Sequence, residues 1–270
     1  MKMNKKVIGL VLAGMMSLSV VGCGNKVTNE NVSGGDDIFI EDFSDAVNKR
    51  WVEVNKLAEK FEKEKYTESE YYNKVTESVK KEIEAIEKSM VNIEDKELKK
   101  VVENYIQGDK IQIESFKTTD IELQSKYTEE ANGLRKPSMV TLVEEYGMVV
   151  DEENQQTYKN FKEEATIINK EKDVQEFVKK VANEIVFEKG KNEWGEVQFT
   201  AVIENTSDVD FATMQFQVNY KDKDGIVIGN DWIFIENFDA NTKQKATLTP
   251  YENENNIESI VLEPDYCETK

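Results

Sequence analysis

Histidine is absent from this chain of 270 residues, whereas carboxylates number 54 and cysteines two. Without an imidazole there is no Ser-His-Asp or Cys-His arrangement and no ordinary zinc site. The side chain that most often serves as general base near neutral pH is missing too. Carboxylate-pair chemistry, such as glycoside hydrolysis, passes that test. No spacing singles out such a pair, and 54 acids supply many by chance, so no residue takes a catalytic assignment. Asp222-Lys223-Asp224-Gly225 has the look of a calcium loop but lacks the further oxygen ligands such a loop carries at set positions. Asp-Gly between alternating strands is the ordinary hairpin signal. No metal and no cofactor are expected.

The thiols carry more information. Met1 to Lys6 holds Lys2, Lys5 and Lys6 with no acid, and Val7 to Val21 is apolar or small throughout, the pattern of a secretion signal. A spanning helix wants about 20 apolar residues; this stretch is broken by Gly9 and Gly14 and stops at Gly22, so a single-pass anchor is the weaker reading. The run ends in Val20-Val21-Gly22-Cys23, which resembles the lipobox of bacterial lipoproteins. The resemblance implies cleavage before Cys23 and lipid on its sulfur. Two or more acyl chains, at roughly 0.8 kcal/mol per buried CH₂, hold a protein on a bilayer durably. Cys267 then has nothing within the chain to pair with, and a disulfide framework is excluded. A free thiol, an intermolecular bridge and an inert tail cysteine all stay open.

Loss of residues 1–22 removes three lysines and no acid, leaving 32 basic against 54 acidic residues. Nucleic acid and anionic envelope polymers are not expected as partners at that charge. Residues 183–270 alone hold 7 basic and 18 acidic residues, so half of the excess sits in the last third. A cationic partner, divalent cations or plain solubility would each account for it.

The polar Gly24–Asp37 stretch reads as a flexible tether with a reach of about 20 Å. From Glu41 the period is helical. Phe43, Val47, Trp51, Val54, Ala58 and Phe61 recur at three and four residues, which places Trp51 in a core. Thr67-Glu68-Ser69-Glu70 has the spacing of a capping box and opens a second helix with Val75, Val79, Ile83 and Ile86 on its apolar face. A third is expected from Glu94 toward Glu130, with Gly108 as a weak point. Asn132-Gly133 and Lys136-Pro137 predict a break after it. Ser138 to Met148 reads as a short helix or an irregular cover. A helix over Glu152–Asn169 and a separate short one capped by Asp173 complete an antiparallel bundle over residues 38–182.

At about Glu184 the period becomes two. Val197, Phe199, Ala201 and Ile203 alternate with polar residues, as do Met214, Phe216, Val218 and Tyr220. Turn signals at 190–192, 205–208, 223–225, 229–231 and 239–241 divide residues 183–267 into about seven strands, the count of a small immunoglobulin-like sandwich. Asn205-Thr206 followed by Phe216-Gln217-Val218-Asn219-Tyr220-Lys221-Asp222-Lys223-Asp224-Gly225-Ile226-Val227-Ile228 resembles the FxLYD-type sandwich domains of Gram-positive surface lipoproteins. Here Lys221 rather than a tyrosine precedes the aspartate. The resemblance implies a fold and a cell-surface location, with no chemistry.

Three aromatics stand out as partner-binding candidates. Trp232 and Phe234 share one face of a strand whose other face carries Ile233 and Ile235. A two-layer sandwich buries only one of these, so the other needs a cover, either the helical domain or a partner. Trp194 lies at a hairpin turn, where it contacts a ligand or folds back over the sheet edge. The expectation is an α+β protein, a helical bundle followed by a β-sandwich, anchored through Cys23 to the outer face of the cell membrane. Its expected role is noncatalytic: binding an unknown protein or envelope component, or scaffolding. A solute-binding or carboxylate-based enzymatic lipoprotein is the alternative. Solute receptors usually alternate βαβ units, whereas this chain segregates helices from strands.

Overall fold

The computed structural model describes residues 34–63, 65–250 and 256–270, so the leader and Cys23 lie outside the described residues. Among the described residues five helices precede six strands. The helices are α1 (Gly34–Glu62), α2 (Glu68–Ser89), α3 (Lys96–Lys117), α4 (Ile121–Glu144) and α5 (Gln155–Glu184). The strands are β1 (Glu188–Lys191), β2 (Val197–Glu204), β3 (Phe211–Lys221), β4 (Val227–Phe238), β5 (Lys243–Leu248) and β6 (Ser259–Thr269). No described helix is long and apolar enough to cross a membrane. The chain divides into two compact units between Asn169 and Lys170, within α5. The second half of α5 belongs with the strands because Val174, Phe177, Val178 and Val181 are buried in the strand core, with Phe177 stacked on Phe211 at 5.5 Å.

In the helical unit, side-chain caps set the helix starts. Thr67 and Glu70 form the reciprocal capping box at α2. Asp95 accepts from Glu97 N and Leu98 N at the start of α3, and Asp120 accepts from Glu122 N and Leu123 N at the start of α4. The break in the third helical stretch therefore falls at Thr118–Asp120. The expected break at 132–137 is absent. Helix α4 runs through Gly133 and Pro137, held on both sides of the proline by buried Ala131, Arg135, Met139 and Leu142. A proline ring crowds the carbonyl four residues back, which in α4 is that of Gly133. The two helices expected over 152–182 are likewise one continuous helix.

The tether expected up to Asp37 ends earlier, since Gly34–Asp37 already belong to α1. Asp36 is buried, and its Oδ1 accepts from Glu94 N at 2.7 Å and Asp95 N at 3.3 Å. A Cβ on Gly35 would stand 2.5 Å from Asn92 O, so the glycine allows α1 to start against the 3-10 turn Met90–Asn92. Phe39, Phe43, Val47 and Trp51 of α1 enter the core with Val79 and Ile86 of α2 and Leu98, Val102 and Tyr105 of α3. Ser44 and Asn48 add a polar stripe on α1. Asn48 Nδ2 donates to Val149 O at 2.8 Å, and its Oδ1 accepts from Asp151 N and Asn154 Nδ2, which fastens the connection between α4 and α5.

The strands form two antiparallel three-stranded sheets, ordered β1-β2-β5 and β4-β3-β6. Both contribute to one core: Phe199 and Ile203 of β2, Ala246 and Leu248 of β5, Phe211, Phe216 and Val218 of β3, Ile233 and Ile235 of β4, and Leu262 of β6. Six described strands replace the expected seven because 229–231 is not a turn. Gly229 and Asn230 stay paired with Tyr220 and Asn219, and β4 continues through them. Pro264, which has no N–H to give a ladder, sits on edge strand β6 next to a register shift, as prolines in sheets must.

Candidate functional site

The outer face of sheet β4-β3-β6 is built by strand period alone. Ile233 and Ile235 point into the core, 5% and 3% exposed, so Trp232 and Phe234 must point out; they are 44% and 60% exposed. Antiparallel pairing then adds a residue that the sequence reading missed. Gln215 of β3 lies opposite Phe234 on one side and Tyr266 of β6 on the other, and Tyr266 is 52% exposed. The neighbouring row is Trp232, Gln217 and Glu263; the row on the other side is Glu236, Thr213 and Glu268. Three rings thus flank a central column of uncharged polar side chains. Tyr266 escaped notice because a register shift between Gln215 and Phe216 decides its partner, and no local pattern encodes that.

Trp194 occupies the tip of the β1–β2 hairpin and is 83% exposed, so it does not fold back over a sheet edge. Its turn repeats the turn between β3 and β4 bond for bond. Asn192 N donates to Glu196 O and Asp222 N to Ile226 O, both at 2.9 Å, while Gly195 N and Gly225 N donate back to Asn192 O and Asp222 O at 3.0 Å. Each leading side chain caps two amides: Asn192 Oδ1 accepts from Trp194 N and Glu196 N, and Asp222 Oδ1 from Asp224 N and Ile226 N. Gly195 and Gly225 have φ of 81° and 77°, the left-handed position such hairpins give to glycine. Asp222 is therefore engaged in the turn. Among the described residues no group of three carboxylate or thiol side chains gathers where it could hold a metal ion.

The helical unit buries a charge cluster drawn from four helices. Arg50 of α1 donates through Nε to Glu82 Oε2 of α2 at 2.5 Å and through Nη2 to the Tyr105 hydroxyl of α3 at 2.9 Å, and that hydroxyl donates to Glu82 Oε1 at 2.7 Å. Beside this closed triangle, Arg135 of α4 holds its Nε 2.6 Å from Asp109 Oδ1 of α3 and donates through Nη1 to Gln112 at 2.7 Å. Its guanidinium also lies over the rings of Tyr105 and Phe161. Burial opposes the charge on Arg50, yet Glu82, Tyr105 and Asp109 outweigh it and hold the guanidinium above its ordinary pKa. For Asp109 the balance is reversed. Burial exceeds the pull of Arg135 and Arg50, and Glu82 adds to it, so the carboxyl is pushed up to about 7. A side-chain hydrogen bond with Glu82 acts in the same direction, and Arg135 Nε, though 2.6 Å away, makes no aligned hydrogen bond to the carboxyl. Two arginines against two carboxylates read as a key for helix register, the best-attested use of buried ions.

A shallow groove of about 190 Å³ lies between the second half of α5 and β2, lined by Phe177, Val181, Ile185 and Val202 with Lys180 and Glu184. It is smaller than ordinary small-molecule sites, which run from about 300 Å³ upward. Cys267 is half-buried on β6 opposite core residue Met214, and burial pushes its thiol up, away from the reactive thiolate. Comparison with protein-family models, with curated proteins and with solved structures finds no match.

Proposed function

We propose that this protein is a noncatalytic binding module of the cell surface, held on the outer face of the membrane by lipid on Cys23. The charged and apolar leader and the lipobox-like Val20-Val21-Gly22-Cys23 support the location. The helical unit is read as an antiparallel bundle. The second unit is read as an immunoglobulin-like sandwich. Two antiparallel sheets ordered β1-β2-β5 and β4-β3-β6 around one core support this. So does the likeness to FxLYD-type domains, whose matching residues here are structural: Phe216 and Tyr220 are buried and Asp222 forms the turn.

The observation that carries the binding role is the aromatic face. Trp232, Phe234 and Tyr266 leave three large rings in solvent on one sheet surface while the core is already filled from the opposite side. Large aromatic rings gathered in solvent on one face mark an interaction site, and Trp and Tyr are the residues that most often anchor such sites.

A photo-reactive amino acid placed at position 234, and at exposed position 202 as a control, tests this in cells carrying Cys23 or Cys23→Ala. A discrete adduct from position 234 alone, lost with Cys23→Ala, is the expected result. Equal adducts from both positions, or none from 234, would overturn the reading.

A further inference from the structure

We infer that the partner of the aromatic face presents a cationic, arginine- or lysine-bearing polypeptide segment. This rests on the binding role just proposed and concerns the same face. The rings are not its only exposed feature. In the register of the sheet, Glu236 and Glu268 flank Thr213 one row from Phe234 and Tyr266, and Glu263 stands across Gln217 from Trp232. All three glutamates are exposed. Same-face residues two apart on a strand are separated by about 6.8 Å and neighbouring strands by about 4.8 Å. Each carboxylate is therefore within reach of a group that also touches a ring.

None of the three is neutralised. No described lysine or arginine forms an ion pair with Glu236, Glu263 or Glu268; the glutamate and aspartate that do pair in this unit's strands and turns are Glu204 with Lys243 and Asp239 with Lys270. Asn219 Nδ2 donates to Glu263 and the Tyr266 hydroxyl to Glu268, contacts that orient the carboxylates without cancelling charge. The nearest cation of β3, Lys221, stands at the far end of the central column, beyond Asn219. Negative charge beside exposed aromatic rings suits a guanidinium or an ammonium, which gains from a carboxylate and from the ring quadrupole together. An anionic ligand would be repelled here. A neutral sugar would stack on the rings and donate hydroxyls to the carboxylates but leave their charge uncompensated. The face is a flat sheet surface, so it takes an extended segment rather than an enclosed small molecule.

The full chain in neutral-detergent micelles, titrated with fluorescent octa-arginine and followed by anisotropy at low and high salt, tests this inference. Octa-glutamate and a neutral β-linked oligosaccharide serve as comparison probes. Octa-arginine is expected to bind saturably and to weaken with salt. Its affinity is expected to fall roughly tenfold or more in Trp232→Ala/Phe234→Ala and in Glu236→Gln/Glu263→Gln/Glu268→Gln. The helical-unit control Glu152→Gln/Glu153→Gln is expected to bind as the parent chain does. Equal binding by all variants, or binding of the oligosaccharide but not octa-arginine, overturns the inference. If that happens while the adduct from position 234 persists in cells, only the cationic partner is refuted; if the adduct is also missing, the binding role falls with it.

Discussion

Arg135 Nε stands 2.6 Å from Asp109 Oδ1, and the approach runs over a residue with no side chain. A Cβ on Gly108 would collide with Arg135 Cγ and lie 2.8 Å from Ala131 O, so the glycine and the ion pair are one device. The bare backbone of α3 admits α4, and the arginine crosses it to reach the next residue along. Because Arg135 Nε makes no aligned hydrogen bond to the carboxyl, packing holds the two groups together.

Gly108→Ala is expected to destabilise the helical unit. Overpacking costs about 1–3 kcal/mol, against the roughly 1 kcal/mol that alanine gains over glycine inside a helix. A net loss of up to about 2 kcal/mol in urea unfolding is the expected outcome. Unchanged or higher stability would mean that α4 moves aside freely.

The Asp109 carboxyl, pushed up to about 7 chiefly by burial, titrates near 3.9 in an unfolded chain. Between those values the folded state holds the extra proton. The contribution is therefore complete below the unfolded value and is lost as pH rises through about 7. The groups facing it are Arg50, Glu82, Tyr105 and Arg135. Relative to Asp109→Asn, the parent chain is expected to lose more than about 1 kcal/mol of stability from about pH 4 to about pH 7.5. Parallel curves for the two chains would show that the carboxyl stays ionised throughout.

Asn205 is fully buried between β2 and β3, and its Nδ2 donates to Val209 O at 2.9 Å and Phe238 O at 3.0 Å while its Oδ1 accepts from Ser207 N and Oγ. Asn205→Ala strands these groups and is expected to cost about 2–3 kcal/mol. Asn205→Asp keeps the acceptor, loses both donated bonds, and is expected to lose comparable stability. A chemical melt of either variant within about 0.5 kcal/mol of the parent chain would contradict the role.

Adjacent residues of β4 are expected to behave oppositely. Ile233→Ala empties core volume and should cost about 2–4 kcal/mol, whereas Trp232→Ala, on the solvent face, should stay within about 0.5 kcal/mol. A larger loss for Trp232→Ala than for Ile233→Ala would mean that the strand register is wrong by one residue, which would exchange its two faces; similar losses would mean that both faces are buried.

The amino-acid sequence by itself determined what neighbours in the chain can decide. The capping box from Thr67 to Glu70 and the turn from Asp222 to Gly225 each close over four residues, and the alternation of Trp232, Ile233, Phe234 and Ile235 assigns faces without reference to any other strand. Trp51 is buried as its helical stripe requires. The tertiary structure decided the rest, because those choices rest on groups far apart in the chain. Pro137 and Gly133 carry a local signal to break, yet α4 continues because its flanking side chains are buried on both sides of them. Gly35 and Gly108 look like flexible points and are close contacts with Asn92 and Arg135. Arg50, Glu82, Asp109 and Arg135 read as ordinary members of charged helices and become a cluster only when four helices converge. Tyr266 joins Trp232 and Phe234 only through the pairing of β3 with both β4 and β6. Strand period can say which side a residue faces, but only register says whom it faces.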